Sequence, residues 1–325
     1  MHIVAAPDKF KGTATAAEIS AAIAAAASDR GHSCTQVPLA DGGDGTLEAL
    51  GGANRSSTVT GPLGESVEAQ WRLEAGVAVI EMARTSGLVL AGGREGNDPL
   101  AASTAGVGEL MNEAIEHGAR KIIVGVGGSA TTDGGLGAID ALGSAQRLAE
   151  VDVVVACDVR TAFVDAAAVF GPQKGASPEQ VAMLTHRLTA LIDTYRDRFG
   201  VDVGALERAG AAGGLAGGLA ALGARLEDGF DIVAEQVNLR SALEGADLVV
   251  TGEGSLDNES FEGKVIGGVV SLARPYDVSV LAVAGQVTDD VDDRVDAISL
   301  TTEFGSERAQ ATPGPCVHEA LLARL

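Results

Sequence analysis

Carboxylates and glycines recur at the ends of five short apolar runs in this sequence. The five segments are APDKFKG (6–12), LADGGDG (39–45), VGVGGSATTDGG (124–135), ACDV (156–159) and VTGEGSLD (250–257). The carboxyl ends of parallel strands meet at one edge of a sheet, so these segments would collect acidic side chains and free backbone N–H groups there. Asp and Glu oxygens are ligands for Mg²⁺, and glycine lets a backbone approach a phosphate closely. The pattern predicts a site for a phosphorylated ligand, while any one Asp-Gly pair also fits an ordinary turn.

Lysines beside glycines are the second chemical feature. Basic residues are scarce, with 23 Lys plus Arg against 45 Asp plus Glu. The lysines in or beside glycine-containing loops are Lys9, Lys11, Lys174 and Lys264. A lysine in such a loop can neutralise a phosphate or a substrate carboxylate, or it can be a solvated surface residue, and the sequence leaves both readings open.

The charge and composition of the chain exclude several classes of partner. The formal net charge is −22 over 325 residues, and aromatic residues make up only 3%. Such a field repels nucleic acid and anionic lipid, and few aromatics are available to stack on bases. We therefore expect a small-molecule ligand, and an anionic one requires local basic residues or a divalent cation.

Cysteines and histidines show no pattern of a disulfide framework or a metal site. The three cysteines are far apart in sequence, which favours a reducing compartment, and the five histidines lack metal-ligand spacing. No basic leader precedes an apolar stretch, and no run of about 18 apolar residues occurs. These features predict a cytoplasmic protein without a membrane span.

Apolar runs and helix signals alternate over most of the chain, which predicts an α/β fold with a largely parallel sheet. Helices are predicted after the capping box at Thr15, after Pro99 to about His117, and from the Ser177 cap to about Phe199. Residues 57–85 instead predict an antiparallel meander. Strands are predicted at 2–7, 33–40, 121–128, 151–159, 246–254, 278–286 and 296–303.

Motifs for other enzyme classes are weak or missing. Gly-x-x-x-x-Gly-Lys-Ser/Thr does not occur, and Cys157 has no histidine near it in sequence. GVGGSA (125–130) fits the dinucleotide pattern Gly-x-Gly-x-x-Gly/Ala, with Asp158 as a candidate ribose-binding acid. An NAD-dependent dehydrogenase is therefore one alternative.

Six segments together resemble the bacterial type-I glycerate kinase family over roughly residues 1–285. In chain order they are APDKFKGTATAAE, PLADGGDGT, GVGGSATTDGG, VFGPQKGAS, GAAGGLAGGL and TGEGSLDNESFEGK. The resemblance implies transfer of the γ-phosphate of ATP to a hydroxyl of glycerate. It also implies two α/β lobes with the active site in the cleft between them. We expect a discontinuous Rossmann-like domain (1–57 plus 246–325) and an inserted α/β domain (58–245) that contains the antiparallel meander.

The chain departs from the family pattern inside the implied site. Lys9 stands where the family usually has serine, Thr132 replaces asparagine, and Glu259 replaces glutamine. Arg160, Thr161 and Ala162 follow CDV in place of Asn-Pro-Leu, and about thirty residues before CDV are shortened to SAQRLAE (144–150). These changes leave open an altered substrate, or a family member that binds ligands without turnover.

On this resemblance we assign site residues as hypotheses. Asp8 or Asp257 would orient or deprotonate the acceptor hydroxyl, and Lys11 would bind the carboxylate or the moving phosphoryl group. Substrate-binding candidates are Asp41, Arg84, Lys174 and Lys264. Mg²⁺ would be held by Asp41, Asp44 and Glu253. Residues expected to bind ATP are Gly42, Gly43, Gly127, Gly128, Ser129, Asp133, Gly252 and Gly254. The position of the phosphorylated hydroxyl and the oligomeric state, a homodimer included, stay open.

Overall fold

The computed structural model of the chain describes residues 1–288, 291 and 293–325. The strands are β1 (His2–Ala5), β2 (Ser33–Gln36), β3 (Arg55–Thr60), β4 (Ser66–Glu74), β5 (Val77–Glu81), β6 (Lys121–Gly125), β7 (Asp152–Cys157), β8 (Arg225–Asp228), β9 (Leu248–Leu256), β10 (Ser279–Val287) and β11 (Asp296–Ser299). The helices are α1 (Ala16–Asp29), α2 (Thr46–Ala49), α3 (Ala83–Ser86), α4 (Gly93–Gly96), α5 (Ala105–Glu116), α6 (Leu136–Leu142), α7 (Ala166–Phe170), α8 (Pro178–Phe199), α9 (Leu215–Ala221), α10 (Gly229–Gln236), α11 (Leu239–Leu243), α12 (Val265–Ala273), α13 (Leu300–Phe304), α14 (Ser306–Ala311) and α15 (Pro313–Leu322).

The first compact unit contains residues 1–41, 48–50 and 229–325. Its sheet has the strand order β11-β10-β9-β1-β2, and each neighbouring pair is parallel. Such strands are buried on both faces and apolar, as Ile3, Val4 and Ala5 of β1 and Val249 and Val250 of β9 are here. Because all these strands run the same way, their carboxyl ends lie at one edge of the sheet.

The second compact unit contains residues 42–47 and 51–228. Its sheet has the order β3-β4-β5-β6-β7-β8, antiparallel from β3 to β5 and parallel from β5 to β8. The sole tryptophan, Trp71 on β4, is fully buried and donates its indole N–H to Ser57 Oγ at 2.8 Å. The antiparallel pairing of β3, β4 and β5 confirms the predicted meander.

Helix caps confirm two of the predicted helix starts. Thr15 and Ser177 both form capping boxes, with Glu18 and Gln180 closing them. Helix α8 ends before Gly200, which takes the left-handed conformation (φ 73°) that suits glycine. Together with the two sheets, these helices confirm the predicted mixed α/β fold with a parallel sheet and an antiparallel meander.

Three details of the fold differ from the sequence prediction. The helix predicted after Pro99 begins only at Ala105. The strand predicted over 296–303 ends at Ser299, whose side chain caps α13 at the Thr302 N–H, so the second half of that run is helical. Strand β8 was not predicted, because it is a four-residue edge strand that directly follows the Gly/Ala-rich segment.

The compact units also divide the chain at other residues than the predicted domain limits. Residues 51–57 pack with the second unit because β3 pairs with β4 along its length. Residues 229–245 pack with the first unit, since Phe230, Val233 and Leu239 join its core beside β1 and β9. The predicted domains, a discontinuous one of residues 1–57 plus 246–325 and an inserted one of residues 58–245, therefore stay a prediction.

Among the residues that the structure describes, none of the helices combines the length and the apolar character needed to span a membrane.

Candidate active site

Three carboxylates of the first unit share one electrostatic environment at the carboxyl edge of its sheet. Asp8 follows β1, Asp41 follows β2, and Glu253 lies in the second half of β9. The Asp8 N–H donates to the carbonyl of Gly252 at 2.8 Å, which holds the segment after β1 beside β9. Asp8 is buried, and its carboxylate interacts with both Asp41 and Glu253. The structure therefore brings together three of the predicted site residues.

Burial makes Asp8 an unusual carboxyl group. Desolvation raises its pKa from 3.8 to about 7, while the neighbouring Lys9 lowers it and Asp41 and Glu253 raise it further. A carboxyl that titrates near neutral pH can accept a proton from a substrate hydroxyl and later release it. Among the predicted residues, this property distinguishes Asp8 as a candidate base.

Glu253 presents a buried oxygen to the same cluster. Its side chain is 9% exposed, and Oε1 has no hydrogen-bond partner among the described residues. Burial raises the pKa of Glu253, whereas Ser260 and Lys264 lower it. A buried acceptor without a partner is uncommon in folded proteins and indicates a place for a ligand or a cation.

Lys9, which the sequence did not assign to the site, lies between two of the carboxylates. Its Nζ is 3.7 Å from Asp8 Oδ1 and 4.0 Å from Asp41 Oδ1. Its backbone N–H donates to Asp8 Oδ1 at 2.7 Å. The exchange of serine for lysine, visible in the sequence, was the signal that could have found it.

Asp257 is engaged in local structure. Its carboxylate caps the 3₁₀ turn at residues 258–261 by accepting the Ser260 N–H at 3.1 Å, and its own N–H donates to Ser260 Oγ at 3.0 Å. This capping box accounts for an acidic residue at the position. The geometry therefore favours Asp8 over Asp257 as the base, a choice that the sequence left open.

Lys264 borders the carboxylate cluster, and Lys11 follows Asp8 by three residues along the chain. Lys11 is exposed, and within the described residues its ammonium has no ion-pair partner. Lys264 lies 3.7 Å from Glu259, the residue that replaces the family's glutamine, and also lowers the pKa of Glu253. Both lysines are placed where they could attract an anionic substrate.

The predicted glycines let backbone segments pack closely against one another. A Cβ on Gly127 would lie 2.7 Å from Gly43 Cα, and a Cβ on Gly128 would lie 3.0 Å from Asp44 Oδ1. A Cβ on Gly252 would lie 2.3 Å from Val283 O, whereas a Cβ on Gly254 would lie 3.3 Å from Lys11 N, a milder contact. Close packing of backbone thus explains these glycines structurally, and their predicted contact with ATP stays a prediction.

Glu81 organises the segment Gly42–Leu47 in the second unit and was missed by the sequence analysis. Its Oε1 accepts the N–H groups of Gly45 and Leu47, both at 2.9 Å, and its Oε2 accepts Arg84 Nε at 2.8 Å. Arg84 also donates to Gln70. The available signal was the acidic residue at the end of the apolar run VAVIE, because the other strand ends of the predicted site also carry acidic residues.

Asp133 has its carboxylate occupied by donors from its own unit. Oδ2 accepts Thr104 N and Oγ1, both at 2.8 Å, and Gly137 N at 3.2 Å, while Oδ1 accepts Gly135 N at 3.0 Å. The side chain thereby joins the start of α5 to the start of α6. This arrangement gives Asp133 a structural task, and its predicted role in binding ATP is untested.

The side chain of Lys174 is buried against the loop that follows β6. It is 2% exposed, and its Nζ donates to Thr131 O at 2.6 Å and to Ser129 Oγ at 3.2 Å. Burial lowers the pKa of Lys174 to about 7, with Asp133 opposing the shift. Lys174 and Ser129 therefore support the loop, and their predicted contacts with substrate and ATP stay predictions.

The buried lysine predicts a specific pH dependence of stability. The unfolded lysine keeps its proton up to about pH 10, whereas the folded one loses it near pH 7. The unfolded state therefore binds more protons over this window, and stability must rise with pH there. The free energy of unfolding of the wild type relative to Lys174→Met should rise by up to about 1.4 kcal/mol per pH unit between pH 7 and 10.

Urea unfolding followed by the fluorescence of Trp71 measures this difference, because that residue lies in the core of the same unit. All other titrating groups are shared by the two proteins and cancel in the comparison. A difference that stays level up to pH 10 would show that the ammonium remains charged when folded.

Two further observations limit the chemistry of the chain. Within the described residues, no three His, Cys, Asp or Glu side chains lie close enough together to ligate one metal ion. Burial raises the pKa of the Cys157 thiol to about 12, which excludes a thiolate nucleophile there.

A cavity of about 670 Å³ in the first unit is lined by residues such as Leu248, Ser279 and Asp296, at the amino ends of the strands, and contains none of the predicted site residues.

A sequence model of the glycerate kinase family matches residues 3–146 and 144–318. The chain belongs to the glycerate kinase family. The two matched stretches meet at residues 144–146. The shortened connection predicted from the sequence, residues 144–150, begins at the same place and contains a 3₁₀ turn at Ala145–Leu148.

Relatives with assigned names support the same family. The chain is 39% identical to the glycerate 2-kinase of Escherichia coli K12, over 94% of this chain and 92% of that protein. It is 39% identical to the glycerate kinase of Bacillus subtilis 168, over 89% and 86% of the two chains. A crystal structure from Salmonella typhimurium LT2, provisionally assigned as glycerate kinase 2, covers 100% of this chain and 98% of its own, with a TM-score of 0.85 and 34% identity.

Membership of the glycerate kinase family replaces the dehydrogenase alternative. The structure gives a physical reason as well, because GVGGSA does not open a helix. Ten residues of loop, 126–135, separate β6 from the seven-residue helix α6. A dinucleotide fingerprint requires the helix to begin at the glycines, so that its N-terminus faces the pyrophosphate.

Proposed function

We propose that this member of the glycerate kinase family transfers a phosphoryl group from ATP to glycerate. The observation that carries the proposal is the buried Asp8 at the carboxyl edge of the first sheet, with a pKa near 7 and two further carboxylates beside it. Phosphoryl transfer needs an oriented acceptor hydroxyl and neutralised charge more than covalent chemistry. The residues of this cluster can supply both.

Asp8 acts as the base in this proposal. Its ionised carboxylate would accept the hydroxyl proton of glycerate as the oxygen attacks the terminal phosphorus of ATP. The bond from that phosphorus to the ADP oxygen breaks, and the phosphoryl group ends on glycerate. The backbone N–H of Lys9 and the anchored contact to Gly252 hold Asp8 in place throughout.

The donor chemistry of the cluster fits Mg²⁺. Carboxylate oxygens are the ligands that Mg²⁺ prefers, and Glu253 Oε1 is buried without a partner among the described residues. Asp41 and Glu253 would hold the ion. Mg²⁺ usually takes one or two carboxylates and completes its shell with water and phosphate, so a cage of three carboxylates is not required. Bound there, it would neutralise charge on the phosphates of ATP.

The basic residues would bind the anionic ends of the substrates. Lys264 borders the carboxylate cluster, and Lys11 is exposed three residues after Asp8. Arg84 is oriented by Glu81 and Gln70 in the second unit. We assign the glycerate carboxylate and the transferred phosphoryl group to Lys11 and Lys264, while Arg84 stays a predicted substrate-binding residue. The backbone of the Gly42–Leu47 and 125–133 segments is assigned to ATP.

The 2-hydroxyl is the proposed acceptor, giving 2-phosphoglycerate. The proposal is supported by the E. coli relative, which is named glycerate 2-kinase and shares 39% identity with this chain. The three cysteines of the chain are free, which agrees with action in a reducing cytoplasm.

The proposed reaction predicts release of ADP that depends on D-glycerate. The enzyme is incubated with ATP, Mg²⁺ and glycerate, and ADP is measured by a coupled assay, with lactate and 3-hydroxypropionate as acids that each offer only one hydroxyl. The proton-coupled ³¹P spectrum of the product should be a doublet, because phosphorus on the 2-oxygen couples to a single proton. A triplet would assign the 3-hydroxyl instead.

Other outcomes separate the alternatives. ADP release with a different hydroxy acid but not with glycerate would mean that Lys9, Thr132 or Glu259 has changed the specificity. Bound ATP without any turnover would identify a ligand-binding member of the family and would contradict the proposed activity.

A further inference from the structure

Lys9 places a positive charge where the carboxylate cluster needs one. Its Nζ lies 3.7 Å from Asp8 Oδ1 and 4.0 Å from Asp41 Oδ1, and its side chain is 22% exposed. At such distances in a half-buried setting, an ammonium stabilises two ionised carboxylates that would otherwise repel each other.

The ammonium is also held in place from the backbone. The Lys9 N–H donates to the same Asp8 oxygen at 2.7 Å, so one residue engages Asp8 from the main chain and from the side chain. The segment is fixed to β9 by the bond from Asp8 N to Gly252 O at 2.8 Å. Lys9 therefore has little freedom to leave the two carboxylates without a competing cation.

A divalent cation would seek the same oxygens. Carboxylate oxygen is the preferred ligand of Mg²⁺ and Mn²⁺. Glu253 adds a buried oxygen without a partner among the described residues, next to Asp41 in the electrostatic environment of the cluster. No three acidic side chains in the described part of the chain lie close enough to ligate one ion, and the lysine stands between two of them.

We propose that Lys9 is a positioning residue whose ammonium competes with the divalent cation for the oxygens of Asp41, while it also neutralises Asp8, the proposed base. A cation enters by displacing the ammonium, so this chain binds its cation more weakly than a variant with serine at position 9. The inference rests on the proposed function only in placing the cation at this cluster. It makes Lys9 a determinant of how much Mg²⁺ the enzyme requires.

The test is Mn²⁺ binding to the full chain without nucleotide, followed by the EPR signal of free Mn²⁺. Lys9→Ser should bind Mn²⁺ about tenfold more tightly than the wild type, because one competing charge within about 4 Å is removed. Lys9→Arg keeps the charge and should stay close to the wild type. The titrations of all variants are run at one pH, 8.5, and at one ionic strength.

Two further variants locate the effect. Lys121→Ser removes the same charge at the first residue of β6, in the other compact unit, and should leave Mn²⁺ binding unchanged. Adding Asp41→Asn to Lys9→Ser should abolish the gain, because a proposed ligand is lost. In the ADP assay, Lys9→Ser should reach half-maximal rate at a lower Mg²⁺ concentration than the wild type.

Unchanged or weaker Mn²⁺ binding by Lys9→Ser would overturn the inference, as would equal tightening by Lys121→Ser. Mn²⁺ binding that does not depend on Asp41 would overturn it as well. The proposed function fails separately, through missing ADP release. A variant that binds Mn²⁺ more tightly in a protein without kinase activity would uphold the competition and reject the kinase.

Discussion

Asp8→Asn should lower kcat by about 10²–10⁴-fold, the range expected when a general base is removed from a positioned hydroxyl. The fold should persist, because asparagine keeps an oxygen that can accept the Lys9 N–H now bonded to Asp8 at 2.7 Å. Circular dichroism and the urea midpoint check the fold, and the coupled ADP assay measures the rate.

The pH profile of the same variant tests the role of Asp8 directly. A base must be ionised, so the kcat/KM of the wild type should rise with pH and level off above the Asp8 pKa of about 7. In Asp8→Asn the residual rate should lack this rise. If the rise survives, it comes from the substrates or from another group, and Asp8 is not the base.

Asp257→Asn is the matched control for Asp8→Asn. Asparagine caps turns as well as aspartate does, so the bond from Ser260 N–H at 3.1 Å should persist. We expect a smaller loss of kcat than for Asp8→Asn. A larger loss for Asp257→Asn would reverse the assignment of the base between the two predicted aspartates.

Asp133→Ala should destabilise the second unit by about 3–5 kcal/mol, since it leaves several buried donors without an acceptor. Those donors are the backbone N–H groups of Thr104, Gly135 and Gly137 and the Thr104 hydroxyl. Asp133 is 8% exposed, so water cannot readily replace the carboxylate. Urea unfolding followed by Trp71 fluorescence reports this unit, because Trp71 is the sole tryptophan and is fully buried in its core.

Asp140→Ala is the control for Asp133→Ala. Asp140 lies on helix α6 and is exposed, so its loss should change the free energy of unfolding by no more than about 0.5 kcal/mol. Equal effects of the two variants would show that Asp133 does not organise the loop. A stable Asp133→Ala protein that fails to bind ATP would instead assign the residue to the nucleotide, as the sequence predicted.

Local signals determined the elements that begin and end with caps. Thr15 and Ser177 mark helix starts by bonds that lie within four residues, and Gly200 marks a helix end by its own backbone conformation. The same reasoning failed at 296–303, because apolar residues with threonines fit a strand and a short capped helix equally well. Strand β8 lacked a local signal, since only its pairing with β7 defines it.

The sequence by itself determined the α/β class, the antiparallel meander, the family and the collection of acidic residues at strand ends. The class, the meander and the acidic strand ends follow from periodicity, caps and local patterns that act over a few residues, whereas the family follows from the resemblance of six segments spread over residues 1–285. The tertiary structure decided how the acidic residues differ. Asp8 is buried and has a pKa near 7, whereas Asp257 caps a turn. The side chain of Lys174 is buried against the loop that follows β6. Lys9 between Asp8 and Asp41, and Glu81 beneath Gly45, depend on contacts between distant segments, and no local pattern can specify desolvation or long-range contact.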